Sequence, residues 1–203
     1  MGSRLMHLIV ADYVATELGI SDRGRMLLGA IAPDAASDKA STHFKGQLHP
    51  YALNRPIDCH RFVLKYRNRF SDAFFIGYLT HLVMDDVWTM KTDFSGFEAR
   101  VKRNPELYHM YHEDLRLCNA KLSQVYPLHE IHKTLLTAQD MPDIEEVKTR
   151  EVLTYKQEAI ADFDYPPQHL THPLHLFTFE EMIHYVERSK SKALDWSRVV
   201  YDT

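Results

Sequence analysis

The stretch from Phe74 to Trp88, FFIGYLTHLVMDDVW, decides how the chain is read. Apart from Gly77 and Thr80, its residues are apolar or aromatic except for His81, Asp85 and Asp86, so a helix here is apolar nearly all round and is expected to be buried. A carboxylate taken out of water needs a compensating charge, and His81 lies one turn before Asp85 on the same face. A bound metal would supply the missing cation. In an isolated His-x3-Asp pair a structural hydrogen bond within the core is the commoner meaning, so the metal reading depends on other ligand types in similar surroundings. Gly77, one turn before His81, leaves room for something to approach the helix.

Working outward, no strand alternation or hairpin signal stands out, and the expected fold is all-α, a single multi-helix domain over residues 1–203 around a buried central helix at about 74–90. Ser3 is a cap for a helix running to Leu18 and closed by Gly19, with His7, Val10, Ala11, Val14 and Leu18 as its inward stripe. Ser21 caps a helix over Asp22 to Ala32, which stops at Pro33 and leaves Asp34 just beyond a rigid apolar end. Asp34 there reads as a ligand or as an ordinary turn aspartate. Residues 35–56 have no apolar periodicity and form a loop carrying Thr42-His43-Phe44-Lys45-Gly46, of a length that is uncommon without a function.

A third helix is expected from Asp58 to about Phe70, and Asn104-Pro105 starts another that runs to Tyr126. On the latter, Tyr108, His112, Leu115, Asn119 and Leu122 make one stripe, which places His112 inward and Glu113 and Asp114 on other faces. His109 and Glu113 read as a solvated pair. Leu128–Gln139 and Asp143–Phe163 look helical. The segment 164–177, with Pro166, Pro167, Pro173 and three histidines, reads as an ordered connector, and Thr178 with Glu181 is a capping box opening a last helix to about Val200.

Composition narrows the function classes. The formal net charge is −4 and no basic run is present, which argues against a dedicated nucleic-acid-binding or anionic-membrane surface. Cys59 and Cys118 have neither metal-ligand nor redox spacing. The first residues carry one positive charge and a brief apolar run broken by Asp12, unlike a signal peptide, and no stretch reads as a transmembrane segment. A cytoplasmic location is the expectation. Thirteen histidines are many for 203 residues, and their placement matters more than their number.

The inward or rigidly placed ligand types are His7, Asp34, His43, His81, Asp85 and His112. Four imidazoles and two carboxylates suit zinc or another first-row divalent ion better than magnesium or calcium. Two ions sharing Asp85 would use all six, and paired metals suit phosphate-ester hydrolysis.

His7 in RLMHLI, Asp34 in GAIAPD, His43 in THF, and His81-x3-Asp85 in GYLTHLVMDD are, in that order, similar to the zinc-dependent phospholipase C family, which is all-α and related in fold to the S1/P1 nucleases. The similarity covers roughly residues 3–122. It implies that Asp34, His43, His81 and Asp85 hold a first zinc and that Asp85 reaches a second ion bound by His7. The chain departs from the secreted members in two ways. Lys91 stands where they place a histidine, and the chain begins Met-Gly-Ser where they offer an N-terminal tryptophan amino group. His112 is the candidate to complete a rebuilt second site.

The expected activity is that of a metal-dependent phosphoesterase acting on a small phosphoester or phospholipid headgroup, with Asp34 positioning water and Lys45 or Arg4 contacting phosphate. The alternatives are a metal-stabilised binding or scaffold protein, favoured by Lys91, and an HD-type phosphohydrolase, disfavoured by the lack of an adjacent His-Asp dipeptide.

Overall fold

Ser3 Oγ accepts a hydrogen bond from the Met6 amide and opens α1, Arg4–Glu17, which ends before Gly19 at φ 65°. The computed structural model describes residues 3–47, 55–90, 100 and 103–201. Asp22 rather than Ser21 caps α2, Arg23–Ile31, by accepting from Arg25 N. Pro33 does not end the helical path at once: Ala32–Asp34 continues as one 3-10 turn. The loop expected over 35–56 contains a short helix, α3, Lys39–Thr42, capped by Asp38. It is too short to carry an apolar period. His49, in the same stretch, lies outside the described residues.

The third expected helix is half as long as anticipated, α4 at Cys59–Lys65 with Asp58 as its cap. The central helix α5 spans Ala73–Met90, and its residues from Ala73 to Asp85 are all buried. It packs mainly on α2 and on the last helix, with α1 alongside. Because every face is covered, each large apolar side chain on it contributes about 1.5–3 kcal/mol of burial. α6 is Glu106–Leu122, α7 is Leu128–Thr137, α8 is Thr149–Ala161, and α9 is Phe179–Tyr201 with the expected Thr178–Glu181 capping box. Residues 143–148, expected to be helical, are not, and Asp143 Oδ1 accepts from Thr149 N at 2.7 Å where α8 begins. The described residues form no sheet and pair as strands only in an isolated bridge between Lys45 and Ile57, so the fold is all-α. Among the described residues no helix is long and apolar enough to cross a membrane.

On α6 the buried stripe is Tyr111, Asp114, Leu115, Cys118, Asn119 and Leu122, while Tyr108 and His112 are exposed. The expected phase was wrong because hydropathy counts an aspartate as outward. Asp114 points inward because its carboxylate accepts from His175 N and Leu176 N at 2.7 Å, His175 Nδ1 at 2.9 Å and Phe177 N at 3.3 Å. A buried carboxylate with that many donors is satisfied where it lies. It pins the Pro/His connector, so His175 is spent on structure.

Candidate metal centre

The site is built where α2 and α5 cross at backbone distance. A Cβ on Gly77 would lie 2.0 Å from Met26 O, and one on Gly29 would lie 2.0 Å from Phe74 O. What approaches the central helix at Gly77 is therefore the backbone of α2. This approach sets the Ala30 carbonyl 2.7 Å from His81 Nδ1. A carbonyl can only accept, so Nδ1 carries the hydrogen and Nε2 presents its lone pair.

His43 receives the same treatment from a different element. It follows the single turn of α3, and its Nδ1 lies 3.0 Å from Lys39 O and 3.1 Å from Thr42 Oγ1. The next residue, Phe44, turns the chain sharply at φ 50°, a conformation that costs a non-glycine residue about 1–2 kcal/mol. Its ring packs edge-on against Phe62 at 5.2 Å, while Tyr78 of α5 donates to Thr42 O at 2.7 Å. Those contacts hold His43 over α5.

The two Nε2 atoms consequently face each other at 3.3 Å. Asp85 Oδ2 lies 3.3 Å from His43 Nε2 and 3.7 Å from His81 Nε2, and Asp34 reaches the same two atoms at 3.5 Å and 3.9 Å. His7 of α1 stacks on His81, ring centroids 3.9 Å apart, with Nε2 3.5 Å from Asp85 Oδ1. Neither ring nitrogen of buried His7 makes a hydrogen bond. Two imidazole lone pairs facing each other, with carboxylates around them, need a proton or a metal ion between them.

The charges have the same shortfall. Burial lowers the pKa of His7 well below the histidine range and pushes His81 down to about 4, so both are neutral at physiological pH. Burial would raise Asp34 and Asp85, but the neighbouring imidazoles, with a hydrogen bond from His43 to each, help to hold both carboxyls below the usual range. For His43, burial lowers the pKa, but the bonds to Asp34 and Asp85 outweigh it and the net shift is upward. Buried Asp85 and partly buried Asp34 thus share at most one imidazolium, and the ammonium of Lys39 lies on the exposed side of Asp34.

The donor set fits a metal. Within His7, Asp34 and His81, and again within His43, His81 and Asp85, one ligand atom per residue lies within 4.8 Å of the others. Imidazole nitrogens with carboxylate oxygens are a zinc or first-row transition-metal set, and histidines whose Nδ1 is held by a carbonyl are oriented as metal ligands usually are.

Five of the six expected ligands, His7, Asp34, His43, His81 and Asp85, are therefore brought together. His112 is not: it sits on the exposed face of α6 beside Tyr108 and Tyr111, at 4.3 and 5.2 Å between ring centroids. Lys91 lies outside the described residues. Lys45 pairs through its backbone with Ile57, and the ammonium that reaches Asp34 belongs to Lys39, 3.7 Å from Oδ1 and hydrogen-bonded to Asp34 O. Arg4 is held by Asp162 at 2.6 Å and Glu158 at 2.8 Å. Its guanidinium lies 5.2 Å over the Tyr155 ring, and Lys39 Nζ lies 5.7 Å from the same ring. Sequence reasoning missed Lys39 and Tyr155. Lys39 could have been found one turn before His43, whereas Tyr155 has no local signal.

Of the five ligand-type residues Asp34 is the most open, its side chain 24% exposed against 6% or less for the others. Two surface recesses, of about 700 and 360 Å³, are lined by other residues, and the solvent-facing side of the cluster is the one Asp34 occupies. Comparison with protein-family models, curated proteins and solved structures returned no match.

Proposed function

We propose that this chain is a metal-dependent phosphoesterase, with zinc as the first candidate metal and two ions as the expected complement. One observation carries the reading: two buried histidines, each with Nδ1 turned to a backbone carbonyl, aim their Nε2 atoms at each other beside two carboxylates. His43, His81, Asp85 and Asp34 would hold one ion, and His7 with Asp85 would hold part of a second. When bound, such ions supply Lewis acidity toward a phosphoryl oxygen and bring the pKa of water toward neutrality.

The chain's own residues do the rest. Ala30 O and Lys39 O keep the two imidazoles in the tautomer that binds rather than donates. The apolar wall of α5 excludes water from all but one side, where electrostatic interactions gain strength. Asp34, at the open edge, is placed to accept a hydrogen bond from an incoming water and so orient it. The short list of ligand types and the similarity to zinc-dependent phospholipases C support a phosphodiester or phospholipid-like substrate. A scaffold would have no use for an open edge at Asp34, which favours the enzyme over that alternative.

The test is hydrolysis of an aryl phosphodiester. Turnover should be abolished by chelation, return with zinc or manganese, and fall at least about a hundredfold in Asp34→Asn protein that still binds metal. Metal-replete protein that turns over nothing on a panel of phosphomonoesters and phosphodiesters would overturn the enzyme reading in favour of the scaffold.

A further inference from the structure

Lys39 does two separate things. Its carbonyl accepts from His43 Nδ1, and its side chain leaves α3 for the open edge, where Nζ is 3.7 Å from Asp34 Oδ1 and 5.7 Å from the centre of the Tyr155 ring. The side chain is about half exposed, so its remaining donors are open to solvent beside Asp34. Arg4 approaches the same ring at 5.2 Å and is itself fixed by Asp162 and Glu158. The open edge therefore carries two cations drawn from separate helices around one phenol. Tyr155 already has two positive groups over its ring, so it is not free to cage a third.

We propose that Lys39 is a substrate-binding residue that takes a phosphoryl oxygen of the ligand at this edge, and that the edge selects an anionic phosphate over one bearing a quaternary ammonium group. The inference rests on the phosphoesterase reading and names the ligand chemistry of that site. An ammonium beside the cluster attracts a phosphate dianion more than a monoanion and repels a fixed positive charge at the same distance. Arg4 keeps the phenol in place and adds its field. Lys39 is the group with donors to spare.

The design of the test follows from the two roles. Replacing the Lys39 side chain leaves its carbonyl, and therefore the His43 tautomer, in place. Metal-loaded wild type, Lys39→Ala and Lys39→Arg are titrated calorimetrically with inorganic phosphate and with phosphocholine, and metal content is measured on the same samples. Wild type should bind inorganic phosphate more tightly than phosphocholine. Lys39→Ala should keep its metal, lose about tenfold in phosphate affinity and lose less for phosphocholine, while Lys39→Arg recovers most of the loss. Equal phosphate affinity in wild type and Lys39→Ala at equal metal content would overturn the proposal and leave the lysine as a brace for Asp34, as would loss of metal in Lys39→Ala. Wild type that hydrolyses phosphodiesters with a KM unchanged in Lys39→Ala would sink this inference alone. Metal-replete wild type that neither binds phosphate nor turns over would sink the phosphoesterase reading with it.

Discussion

Replacing Gly77 with alanine should damage the fold and the metal centre together, because the same close crossing makes both. The added Cβ would meet Met26 O at 2.0 Å and Ala30 N at 3.0 Å, backbone atoms that cannot rotate away. Reaching ordinary contact, about 3.4 Å, opens the crossing by roughly 1.4 Å. The same opening stretches the His81 Nδ1 to Ala30 O bond from 2.7 Å past the limit of a hydrogen bond. Overpacking costs about 1–3 kcal/mol and the lost buried bond about 1–3 kcal/mol, against about 1 kcal/mol gained in helix propensity, for a net loss of roughly 1–5 kcal/mol. Urea unfolding in excess chelator measures the first effect, and competition with a chromophoric chelator measures the fall in metal affinity. Gly24→Ala is the control: its Cβ would come closest to Ala138 Cβ, at 3.3 Å, with Ala138 Cα and Asp22 Oδ1 at ordinary contact distances, and should shift stability by less than about 1 kcal/mol. If Gly77→Ala is as stable as Gly24→Ala and binds metal as wild type does, the crossing does not govern the site.

Other perturbations separate structure from site. Asp114→Ala removes the acceptor for four donors from residues 175–177 and should cost about 2–4 kcal/mol in urea unfolding with metal content unchanged, and loss of metal there would contradict its purely structural role. His112→Ala, on the exposed face of α6, should leave metal content as in wild type by elemental analysis, whereas His7→Ala should lower it; loss of metal in His112→Ala as well would restore the sequence-based ligand set. In metal-free protein the folded-state pKa of His81, about 4, lies below its unfolded value near 6.5. The unfolded chain then takes up the proton first, so stability falls as pH drops from about 6.5 to 4, by about 3 kcal/mol from this group. Chemical denaturation of chelated protein across that range checks the sign, and a stability that rises on acidification would show His81 to be charged in the fold.

The sequence made α5 legible because a run apolar on every face can only be buried, and the ionisable groups within it then had to be explained. His7 and Asp34 were legible from the elements they sit on, and His43 from its neighbours in a loop without apolar period. The stripe on α6 was misphased because Asp114 is buried by partners about 60 residues away, which no local pattern reports. The role of Lys45 moved to Lys39 because α3, at four residues, is shorter than the window in which a helical period can be seen. Tyr155 joins the site only through the packing of α8 against α1 and α3, shown by the cations over its ring. The region past Met90 that contains Lys91 lies outside the described residues.

The central claim is that the facing Nε2 atoms of His43 and His81 are metal ligands. Elemental analysis of protein purified without added metal, wild type beside His81→Ala, tests it most directly. Wild type should carry one or two equivalents of zinc or another first-row metal per chain, and the variant should lose most of it. Wild type free of metal, and still free of it after exposure to zinc and desalting, would contradict the account.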